Sequence, residues 1–198
     1  MPLSSAADGA APRVPMASGM SQRIAVVRAG AALIWAAALV IAVGDEIPRT
    51  GSHVTFAASA LLVLYPLIDV IASLAEARRA PDQSSGILRA NAAISLLAVV
   101  ALGATAFGAD AGAVLVAFGV WAIASGAIQF GVAIQRRRAG GRELPMILSG
   151  ALSAVVGVSF IAASQANDAH LANLGGYAAF GAVLYLLWAT RSRAAMPR

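Results

Sequence analysis

Six apolar runs, separated by short polar connections, organise the chain: residues 24–43, 54–75, 90–107, 112–134, 144–163 and 171–190. Each is about 18–24 residues long, near the ~20 that an α-helix needs to cross the hydrocarbon core of a bilayer. A backbone in lipid must satisfy its own hydrogen bonds, which leaves helices or a closed barrel. The runs lack the strict alternation of barrel strands. They therefore predict an all-α, polytopic membrane protein with six transmembrane helices.

Polar residues inside the runs are few and fall at helical spacing. Residues three or four apart share a helix face. Tyr65, Asp69, Ser73 and Glu76 form one stripe in the second run. Trp121, Ser125 and Gln129 form another in the fourth, and Tyr177, Gly181, Tyr185 and Trp188 a third in the sixth. These faces are expected to point inward, because polar groups avoid lipid. The even-numbered runs align at a constant offset of about 56 residues, within the range of repeat architectures. Tyr65, Trp121 and Tyr177 then coincide, as do Asp69, Ser125 and Gly181, and Ser73, Gln129 and Tyr185. The pattern predicts three two-helix hairpin repeats, each ending in Arg and related by an axis along the membrane normal. The odd runs differ. Ser149, Ser153 and Gly157 step by four along the fifth, a small-residue face suited to close helix packing. Asn91 and Ser95 mark a similar face in the third.

Composition agrees with this picture. Charged residues make up 12% of the chain, about half of what a soluble domain carries. All 14 basic residues are Arg, and the net charge is +5. Such a balance can signal nucleic acid, but here the Arg residues cluster between apolar runs, so no nucleic-acid partner is expected. Arg13, Arg23 and Arg28 precede or begin the first run, and Arg78, Arg79 and Arg89 bracket the second connection. Arg136, Arg137, Arg138 and Arg142 fill the fourth connection, and Arg191, Arg193 and Arg198 the tail. The other three connections carry Arg49 against Asp45, Glu46, Asp110 and Asp168. By the positive-inside rule both termini are cytoplasmic, in the inner (plasma) membrane. Residues 1–21 read as a disordered cytoplasmic tail, 22–193 as the transmembrane domain and 194–198 as a short cytoplasmic tail. Met16 and Met20 are alternative starts. The first run is too long for the apolar part of a cleaved signal peptide.

Asp69 is the residue that asks for an explanation. An ionised carboxylate in mid-membrane costs on the order of 2.5–3.5 kcal/mol on insertion scales, so a partner must offset it. Gln129, Ser125 and Asn91 are candidate hydrogen-bond partners. Arg28 and Arg89 are the cations best placed to reach it by snorkelling. Proton or cation handling is the third reading. Together Asp69, Ser73, Ser125, Gln129 and Asn91 are the intramembrane polar candidates. Ser149, Ser153 and Gly157 are the helix-packing candidates. Pro66, one turn before Asp69, frees the Leu62 carbonyl. His53 and His170 sit at the outer ends of the second and sixth runs, where they would be wet. The chain has no cysteine, which excludes disulfides and thiolate chemistry. No catalytic, metal-binding or cofactor motif is present, so the expected protein is not an enzyme.

The stretches Tyr65-Pro66-Leu67-Ile68-Asp69-Val70, Trp121-Ala122-Ile123-Ala124-Ser125-Gly126 and Tyr177-Ala178-Ala179-Phe180-Gly181-Ala182 resemble those of the HdeD-like family of small bacterial membrane proteins. In that pattern each second helix carries an aromatic, then an acidic or small residue beside a Gly, then an Arg-rich end. Val70 stands where the pattern has a Gly. The resemblance covers about residues 24–193 and implies a non-enzymatic membrane protein with a role in acid or envelope stress tolerance. Beside it stand two alternatives from the residues alone. One is a small transporter or channel that handles protons or cations through Asp69. The other is a membrane scaffold whose small-residue faces bind a second copy or another membrane protein.

Overall fold

The computed structural model describes residues 19–43, 51–79, 82–138, 143–166 and 170–193. Among them the chain forms six α-helices and no strands: α1 (Gly19–Val43), α2 (Phe56–Ala77), α3 (Asp82–Gly108), α4 (Ala111–Arg138), α5 (Leu144–Ala163) and α6 (Ala172–Arg193). All six are long and apolar enough to cross a membrane, so the chain is a multi-pass membrane protein. The predicted runs locate every helix. Three extend well past them: α1 begins at Gly19, α3 begins at Asp82 and α4 continues to Arg138. A helix satisfies its own backbone in water as in lipid, so polar ends extend it beyond the apolar run. Helix α1 starts at Gly19, so the last residues of the predicted 1–21 tail are helical. The rest of that tail, and residues 194–198, lie outside the described residues.

Local chemistry sets the helix starts. Thr55 caps α2 by accepting from the Ala58 N–H at 3.3 Å. Asp110 caps α4 by accepting from the Ala113 N–H at 2.9 Å. Both satisfy donors that a helix N-terminus leaves unpaired. Pro145 sits in the first turn of α5, where a missing N–H costs nothing. Pro66 lies inside α2, which runs through it unbroken. The Leu61 carbonyl, rather than that of Leu62, takes an outside partner there, the Trp35 indole N–H at 2.6 Å.

The helices form a closed ring. Each packs on its chain neighbours, and α6 returns to α1. Among the described residues, no helices facing each other across the ring approach closely. The most extensive pairs are α4 with α5, α2 with α3, and α1 with α6, so the closest packing falls between the predicted hairpins rather than within them. The α5–α6 pair is the thinnest. Apolar side chains such as Ile34, Ile41, Ile71, Leu97 and Val155 cover the outside. That is the surface a bilayer solvates.

The α4–α5 contact depends on glycine. A Cβ on Gly157 would lie 2.6 Å from the Gly119 carbonyl oxygen, and one on Gly126 would lie 2.6 Å from the Ser153 Cβ. The helices touch backbone to backbone, as small residues allow in membranes. The small-residue face of α5 is therefore occupied within the chain. Replacing Gly157 by Ala should force α4 and α5 apart and cost about 1–3 kcal/mol, the range for overpacking. Gly131→Ala on the same α4 should be neutral, because its Cβ would meet nothing within 4 Å. Unfolding in mixed micelles checks the pair; equal midpoints for the two variants would refute the close crossing.

Candidate functional site

A ring of six helices with none at its axis leaves a central space about one helix wide. One half is filled by aromatic side chains. Phe118 of α4 is fully buried at the hub. Trp35, Tyr65, Trp121, Phe160 and Tyr177 surround it, with ring centroids 5.2–6.5 Å from its own. Trp35 and Tyr65 also stack on each other at 4.2 Å. Most of the other contacts to Phe118 are edge-to-face, an arrangement that aromatic quadrupoles favour.

The other half is a cavity of about 160 Å³ whose largely apolar wall carries a set of polar and charged side chains. It begins at Tyr65, Trp121 and Tyr177 and extends toward the Arg-bearing helix ends, to Glu76, Arg136 and Glu143. Every residue of the three predicted stripes lines it. Glycine at position 181 leaves the wall open, since a Cβ there would meet nothing within 4 Å.

Asp69 sits in the wall, its side chain 10% exposed. One carboxylate oxygen is ion-paired with the Arg28 guanidinium of α1. The other accepts from Asn91 Nδ2 at 2.8 Å and Ser95 Oγ at 2.6 Å, both on α3. The network continues. Asn91 Nδ2 also donates to Ser73 Oγ at 2.9 Å, and Trp121 Nε1 donates to Ser95 Oγ at 3.0 Å. A carboxylate has several acceptor sites and here finds donors on both oxygens, which offsets its removal from water. Arg28 meanwhile lies 5.2 Å from the centroid of the Tyr185 ring, a cation–π contact. Of the predicted partners, Arg28 and Asn91 reach Asp69, while Arg89 is exposed on α3. Ser125 instead donates back to the Trp121 carbonyl at 2.8 Å. Gln129 accepts from Tyr185 Oη at 3.4 Å and reaches toward Met146 of α5.

The helix-packing candidates divide between two roles. Gly157 meets Gly119 in the α4–α5 crossing. Ser149 lines the cavity. Ser153 does both, packing on Gly126 and accepting from Tyr177 Oη at 2.9 Å. His53 is exposed, whereas the Nδ1 of His170 is buried rather than wet.

Two cross-links close the rim at the Arg-bearing end. Arg136 of α4 donates to Glu76 of α2 at 3.0 Å. Glu143, just before α5, accepts from the Trp188 indole N–H of α6 at 3.1 Å. Sequence reasoning missed Glu143, which looks like loop polarity between Arg142 and Pro145. It also missed the Phe118 hub, although Phe118 lies one turn before Trp121 on the same face. Burial pushes the Glu143 carboxyl above the ordinary carboxylate range, and the charge of Arg136 and the Trp188 hydrogen bond only partly oppose this. Compared with models of protein families, with curated proteins and with solved structures, the chain matches none.

Two outcomes follow from this wiring. Asp69→Leu leaves Arg28 without its counter-charge and should cost about 1–3 kcal/mol, less than a fully buried pair would because the Arg28 side chain is 21% exposed. The double variant Arg28→Met/Asp69→Leu should recover part of that loss in the same unfolding assay. For Glu143 the raised value belongs to the folded state. Its protonated form is favoured there, so its contribution to stability is greatest below the unfolded pKa of about 4.3 and falls as pH rises through the higher folded value. Glu143→Gln should flatten that limb of a melting-temperature-against-pH curve. An unchanged slope would show that another group is responsible.

Proposed function

We propose that the chain is a non-enzymatic, HdeD-like membrane protein of the small-transporter class, whose working part is the central cavity. The observation that carries this reading is the convergence of the three polar stripes on a cavity holding the Arg28–Asp69 pair, with an aromatic plug at its inner end. A scaffold would need only a packed centre. Three carboxylates (Asp69, Glu76 and Glu143) line the cavity against two guanidinium groups (Arg28 and Arg136), so the excess charge is negative when all are ionised. Aromatic faces line it too, and Tyr185 already carries the Arg28 cation. Both features suit a small cation. About 160 Å³ is close to the volume of cavities that hold a benzene-sized guest, which limits the ligand to a few heavy atoms.

Both oxygens of Asp69 are already engaged, one by the Arg28 guanidinium and the other by Asn91 and Ser95. A cation or a proton therefore acts by competing with Arg28 for it. Loss of the Asp69 charge would release Arg28 and alter the contacts among α1, α2 and α3. The Arg clusters support a cytoplasmic cavity mouth, by the positive-inside rule. The resemblance to HdeD-like proteins supports a biological role in acid or envelope stress tolerance.

Purified protein reconstituted around a trapped pH dye tests the activity. Imposed gradients of sodium, potassium or tetramethylammonium should drive proton movement with at least one of them. Asp69→Asn should abolish the movement while the protein stays monodisperse. An unmutated protein that moves no protons under any gradient would sink the transporter reading.

A further inference from the structure

A second space opens on the lipid side of the ring. It is a groove of about 400 Å³ between α5 and α6, the helix pair with the thinnest contact. Its outer walls are mainly apolar, with Leu152 and Val156 from α5 and Phe180 and Leu184 from α6, and with Ser159 and Asn173 as polar exceptions. Its inner end is polar and is shared with the central cavity: Ser149, Ser153, Tyr177 and Gly181 line both. The groove and the cavity are therefore neighbours across one thin wall. At that wall the helices are joined by the Tyr177 Oη to Ser153 Oγ hydrogen bond, 2.9 Å long. Beside it α6 has only Gly181, where even a Cβ would find open space.

The shape is that of an amphipath. A chain fits the apolar groove, which extends from Leu152 to Ala163, roughly 16 Å at 1.5 Å per residue. A head group fits where the groove meets the central cavity. The charge of the head follows from the cavity, which has an excess of carboxylates and an aromatic lining. Its orientation also matches the bilayer. The polar end lies toward the Arg-bearing side and the chain extends away from it, as a lipid of that leaflet does.

We propose that the α5–α6 groove is a lateral port through which a single-chain amphipathic cation enters from the bilayer, its ammonium head in the central cavity and its chain between α5 and α6. The proposal rests on the cation-binding reading of the cavity and adds the route and the ligand class. The Tyr177–Ser153 hydrogen bond is then the latch that the head must pass. It costs little to open, since a neutral hydrogen bond is largely replaced by bonds to water or to the entering ligand.

Binding to the full chain in lipid nanodiscs tests it, with empty discs correcting for partition. The probes are labelled decyltrimethylammonium, tetramethylammonium and decanoate. Decyltrimethylammonium should bind at least tenfold more tightly than tetramethylammonium, and decanoate should not bind. Leu152→Trp fills the groove from a position outside the cavity lining, and should bring the decyl compound down to the tetramethylammonium value. Ser159→Trp, also in the groove alone and exposed, should do the same if Leu152→Trp fails to fold. Equal binding of the two ammonium probes overturns the port, as does a chain advantage that survives both variants. Binding of decanoate in place of the cations overturns the ligand class. Failure of both ammonium probes overturns the cavity reading itself.

Discussion

Six helices in a ring with none at the centre must do something with the space they enclose, and this constraint governs the rest of the molecule. Left as a void, that space would forfeit contacts along every inner face. The chain uses two solutions along one axis. Around Phe118 the space is filled with stacked and edge-to-face aromatic rings. Toward the Arg-bearing end it is left open, and charged and hydrogen-bonding side chains stand in a largely apolar wall. The boundary between the two runs through Tyr65, Trp121 and Tyr177, which belong to both halves.

In the half toward the Arg-bearing end, both guanidinium groups that line the cavity are paired with carboxylates. Arg28 of α1, Asp69 of α2 and Asn91 and Ser95 of α3 form one network, so the pair that neutralises Asp69 also ties three helices together. At the rim, Arg136–Glu76 links α4 to α2 across the cavity, and Trp188–Glu143 links α6 to the start of α5. These two rim links span helices whose backbones meet sparsely or not at all. Long polar side chains bridge where backbone packing is thin, while the α4–α5 pair, joined by glycines, needs no such bridge. The α5–α6 side has neither close packing nor an ion pair among the described residues, and there the ring opens to lipid.

Much of the candidate site was legible in the chain. Apolar runs of spanning length located the helices, and spacing of three and four residues grouped the stripes that line the cavity. Arg28 could be named as a partner of Asp69 because both lie near the same end of their helices. Other elements carried no such mark. Glu143 reads as an ordinary connection residue, since its burial depends on Trp188, 45 residues away. The Phe118 hub draws on five helices, so no single run displays it. The small-residue face of α5 advertises close packing without saying whether α4, a second copy or another protein would occupy it.

Length, apolarity and periodicity are local properties, and they determined what this sequence decides by itself: six spanning helices, the faces that turn inward and the end that carries the Arg clusters. Lipid enforces these choices, because each exposed polar group or unpaired backbone amide carries its cost wherever the helix sits. Which helices touch is not a local property. The ring closure of α6 on α1, the glycine crossing of α4 on α5, and the choice of Arg28 over Arg89 all depend on relative placement. So does the continuity of groove and cavity at Ser153 and Tyr177. Only the tertiary structure decided them, because apolar helices are near-equivalent partners in lipid until close packing and matched polar groups select among them.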